Sequence, residues 1–344
     1  PDVFVRDLNL PPEEHARIAA DALEGRYTLQ GVTVVQKRTD AGGIDWAWKG
    51  PKDDREWAWF MNRHMHWASL IRAWRETGEA RYARALAGEA EDWVRHNPPP
   101  RRMTFSHGWR ALEVARRLDG PWFEAVEALF AGEVIPEDTK ALMLASILDQ
   151  ARYLRAHHAP RGNHLVTEMT ALALVALAFP EFKESAAWLA YAGGRLEEEI
   201  LRQSYPDGAH RELANHYQRV AINSFGRYAV LVDAARGETG RKVAVSTAYA
   251  ARLEKMLGYF YGVMRPGGTG PLNNDSDLED NFDLLKGWAR NGLQRYGLSG
   301  GMLESAPTGD FIAPHAGHAV LRKPLTQTSP GLWAFFDAGW HGTD

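Results

Sequence analysis

Apolar residues recur every three or four positions along most of this chain, and Gly or Pro interrupts the recurrence at short intervals. Such a pattern predicts successive amphipathic helices with short connections. Pro11-Pro12-Glu13-Glu14 opens a helix to about Gly25, with prolines and acids where a helix start accepts them. Tyr27 to Val35 alternates loosely and leads into a turn-rich segment around Ala41-Gly42-Gly43. Residues 53–76 read as one strong helix carrying Trp57, Phe60, Trp67, Leu70, Ile71 and Trp74, stopped by Gly78. Further helices are predicted over 82–96, 105–118, 122–130 and 139–157. Two long apolar ones follow over 165–179 and 186–201, parted only at Phe179-Pro180, so the chain runs out along one and back along the other. His216-Tyr217 lies on the next helix, and segments 222–235, 243–263 and 282–296 complete the set. After Pro266 the composition shifts to glycines and acids, and 318–322 and 332–337 then alternate as antiparallel strands do.

About ten helices with short loops and no clean sequence repeat suit antiparallel helical hairpins. Hairpins that close on themselves give an α/α toroid, and an open solenoid of helix pairs is the competitor. The expected fold is mainly α: an incomplete α/α toroid over 1–305, then the start of a C-terminal antiparallel β-domain over 306–344. The 332–337 stretch is apolar on both faces, so as a strand it needs cover on both sides or a further sheet.

At 344 residues and 45% apolar, with 13 Trp, the chain is long enough for a large packed core. A net charge of -4, spread along the sequence, gives no reason to expect nucleic acid or an anionic membrane as partner. Basic groups for an anionic substrate must therefore be local. With no Cys, disulfide frameworks and thiol chemistry are excluded. No apolar run reaches the ~20 residues of a membrane span. A P-loop and a dinucleotide glycine fingerprint are absent, which removes the usual support for nucleotide-dependent chemistry.

Polar residues cluster at two helix mouths, Arg161-Gly162-Asn163-His164 and Tyr205 to Glu212 ahead of His216-Tyr217. Asn163-His164 opening a helix, the Phe179-Pro180 break, Trp188 on the return helix, Gln203-x-x-x-Asp207-Gly208-x-His210-x-Glu212 and Tyr217 together resemble the heparinase II/III-type polysaccharide lyases and their alginate-lyase relatives. Trp57…Asn62-Arg63 and the run from Trp109 to Arg117 also resemble that family's helical domain. Where the family often has a Ser two residues past the Glu, this chain has Ala214. The resemblance implies a periplasmic or secreted lyase acting by β-elimination on a uronic-acid polymer, with no required cofactor. It also implies a Tyr, here Tyr217, that protonates the leaving oxygen, and in some members a β-domain His that takes the C5 proton. His341 is the nearest such His, and one beyond Asp344 is equally suited.

The residues themselves suit that chemistry. The C5 proton is weakly acidic while the C6 carboxylate stays anionic, so charge must be drawn from the carboxylate. An Asn at a helix start, Asn163, donates to an oxyanion beside free backbone N–H groups, and a protonated His164 adds a donor. Tyr217 has an ordinary pKa of ~10 that cationic neighbours such as Arg211, Arg219 or a protonated His216 would lower. Arg63, His107, Trp109, Arg161, His210, Arg211, Glu212 and His216 are the expected substrate-binding residues. Plainer readings stand beside these: Asn163 as a helix cap, Tyr217 as a core ring, His210 and Glu212 as a pair shaping a turn. Asn273 to Asp280 resembles half a calcium loop without its Gly and distal Glu and reads as a helix-capping loop; it still admits one structural divalent cation, calcium or zinc, although no metal-ligand set is assigned.

The expected substrate is a glycosaminoglycan of the heparin or heparan sulfate kind, because of the Arg-rich helix mouths. Alternatives are an alginate or oligoalginate lyase on the same fold, a glycoside hydrolase using two of Glu168, Asp207 and Glu212, and a non-catalytic sugar-binding scaffold.

Overall fold

The computed structural model describes residues 10–100, 106–239, 242–323 and 331–339, and they form two compact units. One comprises Pro1–Pro160 with Thr167–Leu189, the other Arg161–Val166 with Ala190–Asp344. No helix is long and apolar enough to cross a membrane among the described residues.

The first unit opens with α1 (Pro12–Leu23) and an antiparallel hairpin of β1 (Arg26–Leu29) and β2 (Val32–Val35). Gln30 and Gly31 turn that hairpin with φ of 51° and 73°, the geometry that suits the twist of two short strands. The loose alternation over Tyr27 to Val35 is thus a hairpin. Next come α2 (Arg55–Met61), α3 (Trp67–Thr77), α4 (Ala80–His96), α5 (Ala111–Arg117), a π turn over Leu118–Trp122, α6 (Phe123–Leu129) and α7 (Glu137–His157). Residues 53–76 were expected as one helix, and the structure breaks it at Asn62–His66. The cause is tertiary. His64 is buried at φ 59°, stacked on Trp67 at 4.5 Å between ring centroids, and its Nδ1 accepts from Trp122 Nε1 at 2.8 Å. Asn62 is equally tied, donating to the Trp46 and Ala58 carbonyls at 2.8 Å and accepting from Trp93 Nε1 at 2.8 Å. Helical hydrogen bonds lost at the break are replaced by these, although His64 Nε2 is left buried without a hydrogen-bond partner among the described residues.

Two helices carry the chain between the units: α8 (Gly162–Ala178), buried along nearly its whole length, and α9 (Ser185–Gln203). In the second unit α10 (Asn215–Thr239) and α11 (Thr247–Gly262) pack together, followed by α12 (Asn281–Arg290), a 3-10 turn over Leu293–Tyr296 and the short α13 (Gly300–Glu304). His216-Tyr217 and the 222–235 segment fall on one continuous helix, since nothing between them breaks it. Conversely, Gly292 at φ 98° ends α12 before the 3-10 turn. Asp280 caps α12, accepting from the Phe282 and Asp283 amides at 2.9 and 3.1 Å, as the loop reading required.

At the C-terminal end β3 (Phe311–Ala313), β4 (His318–Lys323) and β5 (Leu332–Asp337) form one antiparallel sheet in the order β3-β4-β5. Val320 faces Phe311 on one side and Phe335 on the other. That face packs onto Ala209, Leu213, Tyr259 and Val263, so sheet, α11 and the segment ahead of α10 share a core. The opposite face leaves Ile312, Leu321, Leu332 and Phe336 exposed. Strand β3, three residues long, carried no periodic signal of its own.

Candidate active site

A pocket of about 460 Å³ in the second unit is lined by Arg161, Gly162, Asn163, Glu199, Arg202, Gln203, His210, Arg211 and Glu212. Gly162, at φ 83°, turns the chain into α8, so Asn163 stands in the first helical turn where backbone N–H groups lack helical partners. Among the described residues neither Arg161 nor Arg211 has a carboxylate within ion-pair distance; Arg211 lies over the Tyr205 ring at 5.1 Å. Arg202 differs, with Nη1 3.1 Å from Glu199 Oε1. That contact is an ion pair without hydrogen-bond alignment, since the same oxygen makes no hydrogen bond.

The loop carrying His210 and Glu212 is fixed from three sides. Gly208 lies at φ 96°, and a Cβ there would come within 2.0 Å of the Lys255 carbonyl oxygen of α11, so only glycine fits. Asp207 Oδ2 accepts from the His315 and Ala316 amides at 2.7 and 3.0 Å, tying the loop to the turn before β4. Gln218, buried on α10, accepts from the His210 amide at 2.5 Å and donates to the Gly208 and Met256 carbonyls at 2.9 and 3.1 Å. The His210 imidazole is itself buried, which pushes its pKa down to about 4, so it is neutral at neutral pH and is no cationic contact for an anion.

The other expected residues are distributed as follows. His164 is exposed on α8, and Tyr217 is half-buried on α10 with its ring edge-on to His216 at 5.4 Å; neither lines the pocket. His216 Nδ1 is 3.3 Å from Glu279 and 3.6 Å from Asp277, while Arg219 reaches Glu279 at 2.8 Å. These acids offset the cations expected to act on Tyr217. In the first unit Arg63 and Arg110 both bind the buried Glu113, at 2.5 and 2.6 Å, so Arg63 is charge-compensated. Trp109 is a core ring rather than a sugar platform: it is buried, donates to the Asn97 carbonyl at 2.9 Å and packs on Trp93 and Tyr153. His107 is partly buried, and burial with the charges of Lys49 and Arg55 lowers its pKa. His341 and residues 101–105 lie outside the described residues.

Two further groups bear on the chemistry. Glu168 is buried on α8, accepts from the Ala159 amide at 2.6 Å, and has its pKa raised by burial to about 7 against the opposing pull of that amide and of Arg110. His216, Asp277 and Glu279 place three donor atoms within 4.8 Å of one another, a set that suits a divalent cation. The Arg219 guanidinium, 3.1 Å from His216 Nδ1, already answers the charge there.

Residues 7–296 match the family model for the heparinase II/III N-terminus. The chain belongs to that family. Among curated relatives, a heparin-sulfate lyase of Bacteroides stercoris is 27% identical over 306 residues, 84% of this chain and 45% of the relative. A heparin-sulfate lyase of Pedobacter heparinus is 31% identical over 262 residues, 72% of this chain and 38% of the relative. This member of the heparinase II/III family thus spans less than half the length of those relatives. Among solved structures, a heparinase III gene product superposes with a TM-score of 0.81 at 21% identity, covering 98% of this chain and 56% of that one. A heparan sulfate lyase from Pedobacter heparinus gives 0.75 at 24% identity, covering 92% and 50%. The likeness shows the fold: the mainly helical α/α-toroid class with following antiparallel strands, as periodicity and motif had implied.

Of the pocket residues of this family member, Glu199 and Arg202 were not expected from the sequence. Glu197-Glu198-Glu199 looks like a solvated acidic run, yet Glu199 is completely buried. Its spacing of four from Gln203 on one helix was the signal available.

Proposed function

We propose that this chain is the helical part of a lyase that cleaves a uronic-acid-containing glycosaminoglycan, heparin or heparan sulfate, by β-elimination. The observation that carries the reading is Asn163 in the first turn of α8, in a pocket it shares with Arg161 and Arg211, two guanidinium groups free of carboxylate partners among the described residues. The heparin-sulfate lyases among the relatives favour a glycosaminoglycan over alginate.

In this mechanism Asn163 and the amides beside it take charge from the C6 carboxylate, with His164 as a second donor, which makes the C5 proton removable. A base takes that proton, and His341 or a His beyond Asp344 is suited to the task. The C5–H electron pair becomes the C4=C5 double bond, the C4–O bond breaks, and the leaving oxygen receives the Tyr217 hydroxyl proton. Arg161, Arg211 and Glu212 hold the flanking sugars. The chemistry uses protein side chains alone, so a cation at His216, Asp277 and Glu279 would be structural. A polymer substrate of this kind suits a periplasmic or secreted enzyme.

The product decides between this reading and a hydrolase, because only elimination leaves a conjugated unsaturated uronate that absorbs in the ultraviolet. On a panel of heparan sulfate, heparin, chondroitin sulfate and alginate, absorbance should rise with the first two. Tyr217→Phe keeps the ring and removes the titratable hydroxyl, so turnover should fall ~10²–10⁴-fold with folding retained. Asn163→Ala should cost roughly 10²–10³-fold. Reducing ends released without ultraviolet absorbance, or a Tyr217→Phe variant of near-normal turnover, would overturn the assignment.

A further inference from the structure

The pocket contains a buried polar chain in which each hydrogen bond has a fixed direction. Glu199 Oε2 accepts from the Gly162 amide at 3.1 Å and from Gln203 Nε2 at 2.8 Å. With its amide nitrogen so engaged, Gln203 presents Oε1 to His210 Nε2, 3.5 Å away. On its other side His210 Nδ1 faces the Glu212 backbone N–H at 3.4 Å. A backbone N–H only donates, so Nδ1 is the acceptor and Nε2 carries the proton, which it gives to Gln203. The tautomer, the Gln203 orientation and the Glu199 carboxylate therefore require one another. All three side chains are buried, where an unmatched donor or acceptor is costly.

We propose that Glu199, Gln203 and His210 are positioning residues that set the Gly162-Asn163 turn against the loop leading into the Tyr217 helix. The inference rests on the lyase reading for its consequence in turnover but not for the chain of hydrogen bonds itself. One end of the relay grips the amide just before Asn163. The other grips the Glu212 amide, five residues before Tyr217, on a loop that Gln218 also ties to α10. A misplacement of about 1 Å between reacting groups costs on the order of 10²-fold in rate, so such a spacer bears on turnover more than on affinity.

A graded series tests this directly in the full chain. Glu199→Gln can keep a carbonyl oxygen where Oε2 accepts from both Gly162 and Gln203, giving up only the ion pair with Arg202, whereas Glu199→Leu removes that acceptor and Gln203→Glu sets two carboxylates together, so each of the latter two breaks the chain. Glu199→Leu and Gln203→Glu should each lower kcat at least about tenfold with KM within about threefold, and Glu199→Gln should keep most of the turnover. A folded Glu199→Leu variant with near-normal kcat, or a Glu199→Gln variant no better than Glu199→Leu, would overturn the relay. A second readout needs no activity: the imidazole ¹⁵N shifts of wild-type His210 should show a neutral ring protonated on Nε2 throughout pH 5.5–8. A ring protonated on Nδ1, or charged at pH 6, refutes the proposal. If wild-type chain is inert on the whole panel the lyase reading fails, and the ¹⁵N measurement still decides the relay.

Discussion

Gly208→Ala is the sharpest test of how the pocket loop is held. The added Cβ would lie 2.0 Å from the Lys255 carbonyl oxygen, 2.2 Å from its carbon and 2.7 Å from the Met256 nitrogen. All three are helix backbone, which cannot swing aside as a side-chain end would. A left-handed conformation costs a residue with a Cβ about 1–2 kcal/mol, and relieving the overlap adds about 1–3 kcal/mol. Moving the loop also weakens the bond from Gln218 to the Gly208 carbonyl, worth about 1 kcal/mol. Together these give roughly 3–6 kcal/mol, which for a unit of this size lowers its melting temperature by roughly 10–20 °C. Gly237→Ala is the control on the same unit, since Gly237 sits exposed in α10 with nothing within 4 Å of its Cβ position. There alanine should stabilise by about 0.5–1 kcal/mol. Thermal unfolding followed by circular dichroism measures both, and the ultraviolet assay reports whether turnover falls with the loop. A Gly208→Ala variant melting within about 2 °C of wild type would refute the close approach and with it the account of the loop.

Other expectations concern charge. Glu168 has its folded pKa raised to about 7 by burial, so between about pH 4.5 and 7 the folded state binds more protons than the unfolded one, and this group makes stability fall as pH rises through that window. The fall is on the order of 3 kcal/mol, and Glu168→Gln should abolish it when unfolding of the two proteins is compared from pH 4.5 to 8; parallel stability curves would contradict the burial argument. Arg161→Ala and Arg211→Ala should each raise KM on heparan sulfate by roughly 5- to 10-fold with kcat nearly kept, and should flatten the rise of KM with salt. An unchanged KM at low salt would remove both from the substrate's path.

The fold was legible because its information is local. Proline, glycine and helical spacing marked most helix ends to within a few residues, as at Gly78, whose φ of 70° closes α3. What was illegible depends on distant partners. Nothing near Asn62–His66 announces a break; His64 takes its left-handed backbone because Trp67, Trp93 and Trp122 surround its ring. Trp109 was expected to bind substrate, yet Asn97 and Tyr153 claim it for the core. In the pocket, Arg161, Asn163, His210, Arg211 and Glu212 could be named from two motifs at helix mouths. Glu199 could not, because the difference between a solvated acid and a buried one lies in the Gly162 amide 37 positions away.

A bare buried carboxylate in a pocket proposed to take an anionic sugar is self-defeating, since like charges 4 Å apart repel by about 4 kcal/mol at an effective dielectric of 20. The Glu199 charge, however, is met locally by the Gly162 and Gln203 donors and by Arg202 at 3.1 Å. What faces an incoming ligand is then the surplus of Arg161 and Arg211 over Glu212. Because His210 is neutral, that surplus does not depend on its protonation near neutral pH. The pocket thus separates two tasks by depth. Its buried layer is a set of matched donors and acceptors, insensitive to salt, that fixes geometry around Asn163. Its outer layer is two exposed guanidinium groups whose attraction reaches into solvent and is screened within about 8 Å at physiological ionic strength. Added salt should therefore weaken capture of the polymer and leave the rate of a captured chain almost unchanged, which is the division expected if Glu199 serves position and the two arginines serve binding.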